Sequence, residues 1–493
     1  MNPAVRRLAV LAASTLLVAA SVCSSDDGSS TTTAATGATS FRPAPRRNPY
    51  LGPAGTATMH GDSESSDSTR LEGPGSGRVD VRSVDLGAVC ASVLIGRDGF
   101  PVALCTRIAD LRPVVHLLDP TTGSSLASLE VTAGSLFGGV YGYLDEADRM
   151  VLVDGASDLL RIAHRRSASG WTLEVDQRVP LAGSIPSGDL VTSVSPDYRG
   201  DVWFATGGGT VGAVDTATGS VRTVALPAGE RVSNSISTAP SGMAVATDHA
   251  LYLVAAGRGG RPAVRWRRAY DRGPARKPGQ LSRGTGSTPT FFGPTDGADY
   301  VAVVDNADPR VHLVVVRATG DRAGQVVCRP EVLRRGGPGS ENSPIGAGRT
   351  VVVASTYGYP YPRVPEDAGP SRPATAPFVG GMTRVDVRPD GSGCDVVWDS
   401  AVRSAAVPRL STADGTITTM TRRSPVGTAA TGGSDTFAYA VLDASNGRSL
   451  AEQDLGATGD PLQLAGTIGP GRVLWQGTVG SVLRITGADG SSP

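Results

Sequence analysis

From Ser92 onward the chain repeats one pattern: a short apolar strand, a turn of Gly, Asp or Pro, then a run of four or five apolar residues. It is seen where Ser92-Val-Leu-Ile is followed by Pro101-Val-Ala-Leu, Tyr141-Gly-Tyr-Leu by Met150-Val-Leu-Val, and Ser193-Val-Ser-Pro by Asp201-Val-Trp-Phe. It continues with Ser237-Thr-Ala-Pro before Ala250-Leu-Tyr-Leu, Ser287-Thr-Pro-Thr before Asp299-Tyr-Val-Ala, and Asn342-Ser-Pro-Ile before Thr350-Val-Val-Val. Val407-Pro-Arg-Leu before Thr416-Ile-Thr-Thr, and Leu462-Gln-Leu-Ala before Arg472-Val-Leu-Trp, complete eight units spaced roughly 45 to 65 residues apart. That period fits a four-stranded propeller blade. Several units close on a second hairpin with the turn Asp-x-x-x-Gly, at Asp119 to Gly123, Asp215 to Gly219 and Asp443 to Gly447. There Asp bonds the backbone two residues on and Gly supplies a positive φ. The expected fold is all-β, a single β-propeller of eight four-stranded blades over 79–486, with seven blades and a stacked-sheet sandwich as alternatives. Val79 to Leu86 is expected beside the last unit, because a closed ring leaves no open edge.

The segment Asp201 to Val224 has an aromatic strand, a Gly-rich turn, a second strand ending in Asp, and then x-x-Thr-Gly. It resembles the repeat of the PQQ-like, quinoprotein alcohol dehydrogenase-like β-propellers, and Arg472 to Ile485 is a weaker copy. The resemblance covers about residues 80 to 486 and rests on structural turns. It implies the propeller fold, and PQQ as a family cofactor. The adjacent Cys-Cys pair that covers the quinone in those dehydrogenases does not occur here, and no Trp can be assigned beneath it, so PQQ is not carried over.

At the start, Arg6 and Arg7 precede the apolar stretch Leu8 to Ala20, the charge and length of a secretory signal over 1–22. Ala20-Ser21-Val22-Cys23 resembles the lipobox of bacterial lipoproteins, with Val22 in place of the usual small residue. Acylation of Cys23 would anchor the chain on the outer face of the cytoplasmic membrane; cleavage after Ala20 would release it as a secreted protein. Residues 23–78 are rich in Ser, Thr, Gly and Pro and are expected to form a disordered tether, with 487–493 a flexible tail. Setting Cys23 aside leaves four cysteines, an even number that suits an oxidising compartment. A hairpin centred between Arg97 and Asp98 puts Cys90 opposite Cys105, which leaves Cys328 to pair with Cys394.

Lys plus Arg number 46 and Asp plus Glu 46, so there is no basic excess for nucleic acid. The one basic run, Arg258 to Arg283, is expected to be a solvated loop, with anionic headgroups or an acidic partner as its functional alternative. The 64 Gly and 35 Pro, with 19% charged residues, disfavour long helices and agree with a turn-rich β chain. The five histidines show no metal-ligand spacing, and no H-E-x-x-H, G-x-S-x-G or phosphate loop occurs.

Up-and-down alternation places the turn between a blade's second and third strands on the same face as the approach to the next blade. Asp305, Asn306 and Asp308, then Glu341 and Asn342, then Tyr357, Tyr359 and Tyr361 should therefore meet on one rim. The first five are hard oxygen donors of the type Ca²⁺ prefers, and ordinary turn chemistry explains them as well. The tyrosines alternate with Gly and Pro, a stiff strip suited to stacking on carbohydrate or peptide, or to packing the rim. The function expected is an exported, lipid-anchored monomeric binding or scaffolding module for a protein or glycan partner. Its rivals are a Ca²⁺-dependent propeller enzyme, either a lactonase-like hydrolase or a quinone-dependent dehydrogenase, and a carbohydrate-binding propeller.

Overall fold

The computed structural model describes residues 41–42, 45–134, 141–424 and 435–488; the signal segment, Cys23 and 489–493 of the tail lie outside them. Eight sheets follow one another in a ring, each an antiparallel meander whose first strand lines the axis. Blade 3 is the simplest case, with strands Val191–Pro196, Asp201–Thr206, Thr210–Asp215 and Ser220–Ala225 in spatial order. Its last turn is the expected one. Asp215 accepts hydrogen bonds from the Ala217 and Thr218 amides, and Gly219 takes a φ of 73°.

The second and third strands of a blade are squeezed between two neighbours, so both of their faces are apolar and alternation disappears. Tyr300–Val304 and Leu313–Val316 of blade 5 are buried throughout. They pack with Val351, Val353 and Val385 of blade 6. Outer strands such as Pro262–Ala269 meet solvent and alternate. In blade 4 the second strand is Gly242–Ala246, and Ala250–Ala256 is the third, one strand beyond the sequence reading. The run Gly-Met-Ala-Val-Ala is too short and small to stand out as a strand.

The ring closes as expected. Val79–Asp85 pairs antiparallel with Ser481–Gly487 and becomes the outermost strand of blade 8. Cys90 and Cys105 face each other across the first two strands of blade 1 and are bonded. Cys328–Cys394 joins the outer strands of blades 5 and 6.

Of the tether expected over 23–78, the described stretch from 48 to 69 is ordered rather than solvated. Between 48 and 69 the chain runs inside the channel, where Ala57, Ser66 and Asp67 have no exposed surface and Glu64 has 1%. The backbone of the inner strands explains why. Those strands have no neighbour on the channel side, and a polar chain can satisfy their amides. Ile95, Thr238, Phe291, Gly346 and Leu410 donate to the carbonyls of Thr56, Ser63, Glu64, Ser66 and Asp67, touching blades 1, 4, 5, 6 and 7 in turn. Ser68–Thr69 then adds a fifth, parallel strand beside Arg409–Ser411 of blade 7.

Candidate functional site

The face on which the chain reaches each blade's inner strand is called the upper face here. Residues 48–57 contact the opposite ends of the inner strands, as where Asn48 Nδ2 donates to Pro196 O and Thr56 Oγ1 to Ile95 O. A tight loop at 55–61 then carries Met59 and His60 up the channel, closed by Gly55 and Ala57 amides donating to Gly61 O. Gly61 has a φ of 90°, and a Cβ there would sit 3.2 Å from Arg409 Nη1 and from Ser68 O. The loop tip floors a cleft of ≈ 1520 Å³ that opens on the upper face and is lined by residues leading into all eight blades.

Five arginines (231, 276, 283, 363, 372) and five acidic residues (189, 248, 341, 366, 367) line this cleft. Much of that charge is consumed locally. Arg231 pairs with Asp367, and Asp248 pairs with Arg272 at 2.5 Å. Arg276 donates to the carbonyls of Gln280 and Gly369, which ties the long 361–377 loop of blade 6 to the segment before blade 5. By contrast, His60 Nε2, Asp189 Oδ2 and Glu341 Oε2 are sealed from solvent and have no hydrogen-bond partner in the protein, and their side chains all line the cleft. Buried polar groups are ordinarily paired, so these three atoms have bonding capacity that the protein itself leaves unused.

Glu341 sits on the turn before blade 6, pressed against Gly286. A Cβ at 286 would lie 2.3 Å from Glu341 Oε2. Burial pushes its carboxyl from an ordinary 4.5 up to about 8, against the opposing pull of the Leu281 backbone and the Arg276 guanidinium. It is therefore largely a neutral acid at pH 7. Tyr141 and Tyr361 feel the Glu341 charge, and burial raises both phenols. Below them lies a charged core. Asp67 is bound by Arg409 Nη1 at 3.0 Å and by Ser343 Oγ, and His60 Nδ1 lies 3.1 Å from both of its oxygens. Asp62 accepts from the Ser66 amide and hydroxyl, and burial lifts its carboxyl to about 6. Glu64, which Tyr198 and Ser63 hydrogen-bond, is pushed well above its ordinary range by the same burial.

The three sequence-marked segments do converge, around the loop at 271–283. Asn306 Nδ2 donates to the Arg272 and Ala275 carbonyls. Lys277 Nζ donates to Ala307 O and Pro338 O, and Thr356 Oγ1 to Gly279 O. The candidate ligands are nonetheless divided among other tasks. Asp305 accepts from the His312 amide and lies 3.1 Å from His312 Nδ1, while Asp308 is exposed. Asn342 Nδ2 donates to Gln463 Oε1, and of the three carboxylate candidates Glu341 is the one with a sealed, unpartnered oxygen. These residues do not form the cage of about six to eight oxygens that Ca²⁺ takes. Among the described residues no group of three or more His, Cys, Asp or Glu side chains is placed to hold a metal ion.

The tyrosines likewise part company. Tyr359 is 3% exposed, packs on Phe378 at 5.1 Å and donates to Asp460, so it belongs to the core of blades 6 to 8. Tyr357 is half-buried against Gly337. Tyr361 alone of the three lines the cleft. Nor is the Arg258 to Arg283 run a free basic surface. Arg267 pairs with Glu230, Arg272 with Asp248, and Arg265 and Arg268 donate to the carbonyls of Ala256 and Gly324. Sequence reasoning passed over His60, Tyr141 and Arg276 as cleft residues. Their signal is tertiary, since Tyr141 and Arg276 lie on different blade connections and His60 on the 48–69 segment that plugs the channel. For PQQ, the cysteines of blade 1 are bonded but lie 15 residues apart, so the adjacent pair of the dehydrogenases has no counterpart.

Two solved structures share the fold. The chain is similar to the quinohemoprotein alcohol dehydrogenase from Comamonas testosteroni, with a TM-score of 0.53 and 11% identity over 89% of this chain and 81% of that one. It is similar also to a europium-containing methanol dehydrogenase, with a TM-score of 0.52 and 11% identity over 88% of this chain and 98% of that one. No family model matches the chain, and no curated protein matches its sequence.

Proposed function

We propose that the protein is an exported propeller that binds a carbohydrate in the upper cleft, as a recognition module on the outer side of the cytoplasmic membrane. The observation that carries this reading is the set of sealed, unpartnered polar atoms lining a cleft whose five arginines face five acidic residues. With Glu341 protonated the five arginines face four carboxylates, part of that charge is paired locally, and the near-balance gives little attraction to a polyanion or a polycation. A neutral acid at Glu341 and the phenols of Tyr141 and Tyr361 instead offer uncharged donors and acceptors beside aromatic faces, which is what a hydroxyl-rich neutral ligand needs. Two disulfides agree with an oxidising compartment outside the cytoplasm. Acylation at Cys23 would hold the ring at the membrane. The test is retention of the full-length protein on an array of neutral glycans that includes peptidoglycan fragments. Retention that weakens about ten-fold in Tyr361→Ala supports the reading, whereas no retention of the parent protein, or retention on peptides alone, ends it.

A further inference from the structure

The best-defined of the bare atoms is His60 Nε2. Its residue is 6% exposed, it belongs to the segment inside the channel rather than to a blade, and it is one of the residues that line the cleft. The opposite ring nitrogen is held on three sides. Nδ1 lies 3.1 Å from each Asp67 oxygen and 2.9 Å from Ser343 Oγ. Arg409 fixes that carboxylate in turn, with Nε donating to Gly466 O at 2.9 Å and Nη2 to Met59 O at 2.6 Å. Ser343 donates its own proton to Asp67, so its oxygen is free to accept. A carboxylate paired with a guanidinium has no proton to give, and Nδ1 must be the donor to it. The neutral imidazole is thereby set in the tautomer that presents a lone pair at Nε2. The same geometry excludes a serine nucleophile, because Ser343 contacts Nδ1 on the Asp67 side and not Nε2.

We propose that His60 is a ligand-contacting residue that accepts a hydrogen bond through Nε2 from a hydroxyl of a neutral sugar seated on the cleft floor, with Asp67 as its positioning residue. The proposal rests on the carbohydrate reading above and adds the atom and its polarity. It also gives the Ser-rich segment before the ring a role in recognition.

Two substitutions separate the ring nitrogens. In His60→Asn the side-chain amide can replace Nδ1 and keep the bond to Asp67, but it has nothing where Nε2 was. In His60→Gln the longer amide reaches the Nε2 position. The probe is the glycan that the array retains, titrated against both full-length variants, with thermal melting to check that each is folded. Imidazole nitrogen NMR of the histidine-labelled parent protein reads the tautomer. Expected are a bare Nε2 that shifts when the glycan is added, binding about ten-fold or more weaker in His60→Asn, and a smaller loss in His60→Gln. Unchanged affinity in a folded His60→Asn, or a protonated Nε2 in the neutral ring, overturns the proposal while leaving the cleft reading intact. If His60→Asn does not fold, the NMR shift alone decides: no perturbation of Nε2 by the glycan refutes it. A parent protein that binds no glycan removes both.

Discussion

Glu341→Gln isolates the chemistry of the cleft wall. In the folded chain burial raises this carboxyl from 4.5 to about 8, so the native state keeps a proton that the unfolded chain has already released over that range. Stability changes with pH in proportion to the protons bound by the unfolded state minus those bound by the native one. That difference is negative between pH 4.5 and about 8, so the wild type loses stability as pH rises through this window and is unaffected below it. A displacement of this size corresponds to at most about 5 kcal/mol. Relaxation and water penetration around a charged buried carboxyl reduce the expected loss to about 1–2 kcal/mol. Glutamine keeps the shape and does not titrate. Urea unfolding of both proteins from pH 5 to 8.5 should show the wild type falling relative to the variant by that amount. A difference that stays flat across the range would mean that Glu341 is an ordinary ionised partner of Arg276, and the argument for a neutral cleft wall would fail.

Asp67→Asn leaves Arg409, which is 1% exposed, without its counter-charge, and should lower the unfolding free energy by about 3–5 kcal/mol in urea; a loss below 1 kcal/mol would show that the plug contributes little. Replacing Cys328 and Cys394 by Ser opens a loop of 66 residues and should cost roughly 4 kcal/mol, read as a drop in thermal midpoint larger than that from removing Cys90 and Cys105, whose separation is 15. Cys23→Ala should move the protein from the membrane fraction to the soluble exported fraction; unchanged fractionation would mean that the anchor is not at that cysteine.

Local chemistry was legible and long-range chemistry was not. Asp215 and Gly219 announce their turn because the Asp oxygen and the positive φ act within five residues. Cys90 and Cys105 could be paired because a hairpin keeps its strands near register, although the turn pairs Ile95 with Pro101 and it is a bulge between Cys90 and Ser92 that brings Cys90 opposite Cys105; Val79 could be placed because a ring must close. Ser63 to Asp67 could not be placed from their polarity, which in isolation signals disorder. They are ordered by amides of four blades that no local pattern connects to them. Tyr359 misled for a related reason: alternation with Gly and Pro makes a stiff strip but does not say which side meets the core, and Asp460, 101 residues away, decides it. Asp305 had the side chain of a metal ligand and is used within its own turn by His312.

The most direct measurement is a hydrogen-exchange footprint of the full-length protein with and without the glycan that the array retains. Protection should appear at the upper-face segments 341–343, 361–372 and 462–464 and at the plug tip near His60, with the lower-face turns at 96–99, 197–200 and 293–297 unchanged. Protection confined to those lower turns, or spread over the outer strands, would contradict a binding site built at the mouth of the channel.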